Sequence, residues 1–307
     1  MSKLLIKRTI RVIITVLFIY TCVFFISRVT GDPVEIMTFD LNISQEAREQ
    51  LIRNLGLDKP LFQQYIDSFI GLFTGNAGKS FYSNRPVIDL FIERLPATIT
   101  LGVTSFILSS VIGIILGFIA ANFHNRFIDK CILFMTVLGH TIPNFVLGII
   151  MILLFSMQLR WLPSGGYGDI KNMIMPVLAM SIGPISKIAR LTRGSLLDIL
   201  SQDFLNTSRS KGMDEFNVRL VHALRNALIS VITILGSSLS GIIGGSVVAE
   251  TVFAWPGIGS LIILSAQKRD FPVVVYGVLI IAISVTVVNF LVDLIYMVVD
   301  PRIRISD

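Results

Sequence analysis

The feature that most constrains this chain is a set of six long apolar stretches with no Asp, Glu, Lys or Arg: residues 12–27, 95–125, 131–159, 172–186, 226–249 and 271–292. A bilayer core takes about 20 mostly apolar residues as helix, because no water is there to satisfy an unpaired backbone. Thr9 and Ile10 extend the first stretch past Arg11, the fourth continues through Lys187, which snorkels, and the last runs to about Val299 with Asp293 near its end. Only 15% of the residues are charged, against about 25% in soluble domains. The expectation is an all-α polytopic membrane protein with six transmembrane helices.

The first stretch follows Lys3, Lys7, Arg8 and Arg11, as a signal peptide would. What comes after it is SRVTGDP, with no small-residue cleavage pattern, so it reads as a retained anchor. Basic residues in the short connections set the orientation. Arg126 and Lys130 follow the second span, and Arg302 and Arg304 lie in the tail. The loop between spans four and five holds Lys187, Arg190, Arg193, Arg209, Lys211, Arg219 and Arg225. The opposite face has Arg160, Lys171, Lys268 and Arg269. Both termini and the basic loop are therefore expected in the cytoplasm, and the same bias accounts for the net charge of +6 without a nucleic-acid partner.

The outer segment carries two helical patterns. In SQEAREQLIRNLG, Ser44 fits the N-cap and Gly56 lies past the end. In PLFQQYIDSFIGLF, Phe62, Tyr65, Ile66, Phe69, Ile70 and Phe73 recur with a helical period, predicting an amphipathic helix on the membrane surface or on the core helices. The domain reading is 1–28 for the stub and first span, 29–95 for the extracytoplasmic segment, 96–300 for a five-helix core containing a cytoplasmic loop at 187–228, and 301–307 for the tail.

Several chemical motifs fail. FTGNAGKS at 73–80 approaches a phosphate-binding loop, but Phe73 stands where the first glycine belongs; Gly75 and Gly78 read as turn residues. A serine nucleophile at SSLSG has Ser238 where glycine is needed and no evident histidine. Cys22 and Cys131 sit apart in apolar runs, so neither a disulfide nor a metal site is expected. His140 is the histidine within a span, and a lone imidazole there more often packs helices than binds a metal. Acids within the spans are scarce, with Glu250 and Asp293 at span ends, which lowers the case for a gradient-driven carrier without removing it; such a carrier, or a channel, acting without ATPases stays the alternative. GIILG at 113–117 and GIIGG at 241–245 read as close helix-packing patterns, and Pro143, Pro176 and Pro184 as possible kinks.

The basic island reads as an extension of span four, a short helix in DFLNTSRSK, a stop at Gly212, and a new helix capped by Asp214. Two roles stand open. One is attraction of an amphipathic basic segment to anionic lipid. The other is a short helix seated in a groove on a partner.

Along nearly its whole length the chain resembles the inner-membrane permease subunits of the peptide/nickel class of binding-protein-dependent ABC importers, of the first, B-type, kind. The resemblance rests on GDP at 31–33, LGLDKPLFQQY at 55–65, RPVIDLFIERLPATITL at 85–101, IPNFVLGI at 142–149, WLPSGGYG at 161–168, the basic island, and ETVFAWPGIGSL with RDFPVV at 250–261 and 269–274. It implies a type I ABC importer permease fold in a bacterial cytoplasmic (inner) membrane. It implies a second homologous permease, two ATP-binding subunits and an extracytoplasmic substrate-binding protein. It implies further that no cofactor binds this chain and that the chain catalyses nothing, with ATP and Mg belonging to the partner subunits. The resemblance makes the island the family's "EAA" coupling loop, with Phe204, Asn206, Thr207, Ser208, Ser210, Lys211, Gly212 and Met213 at the ATPase contact. Asn206, Thr207 and Ser208 replace Glu-Ala-Ala, and Ser230 replaces the proline that often follows HALRNAL. His140, Asn144 and Glu250 are the candidate pathway residues, and the resemblance implies a substrate among peptides, glutathione, nickel and nickel chelates.

Overall fold

Apolar periodicity of this kind yields helix almost throughout. The computed structural model describes residues 2–29, 34, 45–54, 56–74, 78–210 and 212–299. The GDP tripeptide at 31–33, Ser44, Leu55, Gly75, Lys211 and the tail at 301–307 lie outside the described residues. In order come α1 (Ser2–Val29), α2 (Gln45–Asn54), α3 (Leu61–Thr74), α4 (Val87–Asn122), α5 (Phe127–Thr141), α6 (Asn144–Met151) running into a π-helical stretch (Ile152–Gln158), α7 (Ile170–Leu200), α8 (Phe204–Ser210), α9 (Glu215–Asn217) with a second π stretch (Val218–Ala223), α10 (Leu224–Val252), α11 (Ile258–Gln267) and α12 (Phe271–Val299). The chain divides into two compact units, each discontinuous in sequence: residues 1–98 with 256–286, and 99–255 with 287–307.

In the first unit the amphipathic helix α3 packs by one face. Tyr65 and Phe69 lie against Tyr20, Phe24, Val275 and Leu279 of α1 and α12. The Tyr20 hydroxyl donates to the Tyr65 carbonyl at 2.7 Å, so the buried phenol is satisfied. Leu61, Phe62, Ile66 and Ile70 of α3 stay exposed, as on a lipid-facing surface. A second cluster joins Val87 and Phe91 of α4 to Ile258 and Ile262 of α11 and to Val273 and Tyr276 of α12. The apolar helix α11 was not foreseen in the sequence; with ten residues it is too short for the roughly 20 that a span takes. Asp270 is buried in the turn before α12 and accepts from the Ser80 hydroxyl at 2.5 Å and the Phe81 amide at 2.9 Å. Gly56 and Gly78 hold φ of +64° and +75°, which ends α2 and turns the chain into the loop before α4.

In the second unit close backbone approach does much of the packing. A Cβ on Gly113 would come within 2.7 Å of Ile188, and one on Gly117 within 2.6 Å of the Ala189 carbonyl, so α4 and α7 meet through their glycines. GIIGG behaves differently: Gly241 and Gly244 face open space within this chain. Pro176 and Pro184 sit inside α7, which stays one helix. The stretch 131–159, expected as one span, is instead two helices, α5 and the α6–π segment, that meet at 99°. Pro143 causes the break, since it lacks an amide and drives Ile142 out of the helical region; Ile142 has φ −80° and ψ 124°. Among the described residues five helices are long and apolar enough to cross a membrane, and the bent pair makes six if it counts as one span.

Candidate functional site: the helix–glycine–helix loop and a polar cavity

The basic island is a built structure. Helix α7 outruns its apolar stretch to Leu200. There Leu196 packs with Ala121, Leu205, Val218, Ala223 and Ala227, and Met213 lies against the cluster. Leu205 has no exposed surface and is the buried residue of α8. Burial of a leucine side chain is worth about 1.5–3 kcal/mol, enough to fix a seven-residue helix too short to hold itself. With Leu205 inward, Asn206, Thr207 and Ser210 are exposed, Phe204 is exposed, and Ser208 is half-buried.

Gly212 follows α8 with φ +80°, and its amide donates to the Arg209 carbonyl at 2.9 Å. Such a φ suits glycine and strains a residue with a Cβ. Asp214 then caps α9, its carboxylate accepting from the Asn217 amide at 3.2 Å. Glu215 bridges both sides of the turn, receiving Arg209 Nε at 3.1 Å and Arg219 Nε at 3.1 Å. Arg219 Nη1 also donates to Asn122 Oδ1 at 2.5 Å, which ties the island to the end of α4. The Glu215 hydrogen bond raises the Arg209 guanidinium above its already high ordinary value, so this clamp does not open by loss of the arginine proton.

A second tie lies beside it. Arg193 of α7 makes a bidentate contact with Asp129 of α5, and the Asn125 amide donates to Asp129 Oδ2 at 2.9 Å. Neither Asp129 nor Glu215 was singled out in the sequence. The acid-then-base spacing of Glu215 and Arg219 was a usable sign; the 64-residue separation of Asp129 and Arg193 left none.

Of the candidate pathway residues, His140 and Asn144 come together. They line a cavity of about 430 Å³ with Lys187, Ser237, Ser238 and Gly241. Glu250 is elsewhere, fully buried in the last turn of α10, where its carbonyl accepts from the Trp255 amide at 2.8 Å. Here the WLPSGGYG and FAWPG motifs meet: the Gly166 amide donates to the Phe253 carbonyl at 3.0 Å, and the Tyr167 and Trp255 rings sit edge-on at 4.9 Å. A Cβ on Gly165 would lie 2.2 Å from the Phe253 oxygen, so only glycine fits that contact.

Solved structures share this fold. The inward-facing MetNI methionine ABC transporter matches with a TM-score of 0.56 at 19% identity, over 70% of this chain and 98% of that one. An amino acid ABC transporter crystallised with histidines matches with a TM-score of 0.53 at 18% identity, over 68% and 94%. The fold is that of a type I ABC importer permease. Residues 113–305 match the family described as binding-protein-dependent transport system inner membrane component, and residues 1–102 match its N-terminal companion. The chain belongs to this family of ABC importer permeases, multi-pass membrane subunits that are not themselves catalytic and whose members work with ATPase and substrate-binding partners. Relatives include the di/tripeptide transport system permease protein DppB of Pseudomonas aeruginosa, 35% identical over 90% of each chain, and the dipeptide transport system permease protein DppB of Escherichia coli K12, 36% identical over 91% of this chain and 92% of that one. A putative peptide transport system permease protein of Brucella abortus is 36% identical over 99% of both.

Proposed function

We propose that this chain forms half of the translocation pathway of a peptide importer and receives the power stroke through α8. The names of its relatives, which are peptide permeases at 35–36% identity, support the substrate class. The observation that carries the coupling role is the presentation of α8. Leu205 anchors it, Gly212 turns the chain behind it, and Asn206, Thr207 and Ser210 face outward. Lipid anchoring needs none of this, since a continuous amphipathic helix suffices.

In this reading both termini and the island lie in the cytoplasm of a bacterium, and the chain sits in its cytoplasmic membrane. A second homologous permease completes the pore. Two ATPase subunits, which bind the ATP and Mg, grip the docked helices, and an extracytoplasmic protein delivers the peptide. Closure of the ATPase pair draws the docked helices together. The Arg209–Glu215–Arg219 clamp makes α8, α9 and the π stretch that leads into α10 move as one lever, a rigid-body switch. His140 and Asn144 are the pathway residues that the cavity favours over Glu250.

The test is a cysteine at Ser210 in a chain whose Cys22 and Cys131 are replaced, expressed with its ATPase subunits. A crosslink to an ATPase is the expected result. Its absence from an assembled, active complex would overturn the docking role, and ATP-independent peptide uptake by the purified single chain would replace the importer with a carrier.

A further inference from the structure

The cavity that holds His140 and Asn144 has a chemical polarity that its residue types alone do not announce. Its walls come from the α5–α6 break, from α7 and from α10, and among the described residues no Asp or Glu lines it. Lys187 of α7 reaches it and makes no ion pair among the described residues. Asn144, the first residue of α6, also lines it, and α6 has no side-chain cap at its N-terminus. A helix start of this kind favours negative charge. The independent observation is Ser238. Its residue is 7% exposed, its Oγ is buried, and that oxygen has no hydrogen-bond partner among the described residues. A buried hydroxyl without a partner is costly. Ser238 lines the cavity, and the cost is relieved when a rotation about χ1 turns its Oγ to an acceptor atom that arrives there.

A lone cation, a hydroxyl, an amide and an uncapped helix start suit one anionic group. Resting on the peptide-importer reading, we propose that this cavity is a transit subsite for the α-carboxylate of a peptide, with Lys187 as counter-charge and Ser238 Oγ and Asn144 Nδ2 as hydrogen-bond donors. The α-carboxylate is common to peptides of any sequence, so a site for it is indifferent to side chains, which the remaining space beside Ile142, Met180 and Ile242 accommodates. A single cation also suits transit, since the hold must be weak enough for release.

The experiment uses the assembled transporter in proteoliposomes, with Cys22 and Cys131 changed to Ser and Ser237→Cys as the reporter. Ser237 is exposed and lines the same cavity. The rates of labelling by anionic 2-sulfonatoethyl and cationic 2-trimethylammonioethyl methanethiosulfonate are each divided by the rate on a free thiol. We expect a roughly tenfold preference for the anion, the difference that one unit charge about 6 Å away makes between an anion and a cation under water-like screening, and its loss in Lys187→Gln. Dialanine slows the labelling, alanyl-alaninamide does not, and Ser238→Ala weakens the protection by dialanine. Equal corrected rates for the two reagents overturn the proposal. So does equal protection by the amide, or equal protection by sulfate, which marks a general anion site. Gly241→Cys, at a position with open space around it, replaces the reporter if Ser237→Cys does not assemble. ATP-driven dialanine uptake in the same vesicles separates the two readings. Uptake without charge preference overturns the subsite alone, whereas no ATP-driven uptake by the transporter before substitution overturns the importer.

Discussion

Arg193 and Asp129 lie 64 residues apart and join α7 to α5 by two hydrogen bonds, 2.6 Å from Nε to Oδ1 and 2.7 Å from Nη2 to Oδ2. The carboxylate side chain is only 2% exposed and the arginine 18%. Removing one member of such a pair strands the other, at a cost of about 3–5 kcal/mol. Arg193→Ala is therefore expected to lower the unfolding temperature of the detergent-solubilised chain sharply. Arg193→Met with Asp129→Leu is expected to recover most of the loss, because no charge is left buried. A double variant no more stable than Arg193→Ala would contradict this account.

Gly212 has φ +80° and nothing within 4 Å of a Cβ placed on it, so a substitution there meets strain without collision. The left-handed region costs an ordinary residue about 1–2 kcal/mol, and Asn bears it best. Gly212→Val is expected to lower peptide uptake per ATP hydrolysed while leaving assembly intact, and Gly212→Asn to keep most of the coupling. Uptake and hydrolysis measured together in vesicles decide it; an unchanged ratio in Gly212→Val would show that the turn is not needed.

Most of this site was legible because its determinants are local. Gly212 after a polar helix, Asp214 before a new one and the apolar period around Leu196 can each be read in a short window, and α7, α8 and α9 follow them. The 99° break at Pro143 was harder, because Pro176 and Pro184 carry the same local chemistry within an unbroken α7. The glycine patterns show the same limit: GIILG and GIIGG look alike, yet Gly113 and Gly117 meet α7 while Gly241 faces open space. The cavity is invisible in the sequence, since Lys187 reads as a snorkelling end and Ser238 as the residue that breaks a nucleophile motif until the fold sets them around one space.

Leu205 fastens α8 to the rest of the second unit. It is fully buried among Leu196, Val218 and Ala223, and truncation to Ala at such a site costs about 2–5 kcal/mol. Because α8 has no other buried residue, the loss falls on the local helix first. Leu205→Ala is expected to increase amide hydrogen exchange over residues 204–210 and to reduce crosslinking from Ser210→Cys to the ATPase. Thr207→Ala, at an exposed position, is expected to leave exchange unchanged. Equal protection in the two variants would mean that α8 is held by something other than Leu205.

Asp270 pins the loop before α4 in the first unit. It is 3% exposed and accepts from Ser80 Oγ and the Phe81 amide. Asp270→Ala leaves both donors without their acceptor, at about 1–3 kcal/mol for each that stays buried. Faster proteolysis around Ser80 is the expected readout, with Ser80→Ala showing a smaller effect because the Phe81 contact survives. No change in cleavage for Asp270→Ala would dismiss the pin.

The same substitution at two glycines is expected to act in opposite directions. At Gly117 an added Cβ would fall 2.5 Å from Thr192 Cβ and 2.6 Å from the Ala189 carbonyl. The second contact is backbone and cannot rotate away, so α4 and α7 must separate. Overpacking of this kind costs about 1–3 kcal/mol. Gly194, on α7 itself, has nothing within 4 Å of its Cβ position. There the residue is a helix-interior glycine whose replacement by Ala restricts the unfolded chain and gains roughly 0.5–1 kcal/mol. Thermal unfolding in detergent should place Gly117→Ala below the unmodified chain and Gly194→Ala at or above it. If the order is reversed, close approach of the two helices is not what Gly117 provides.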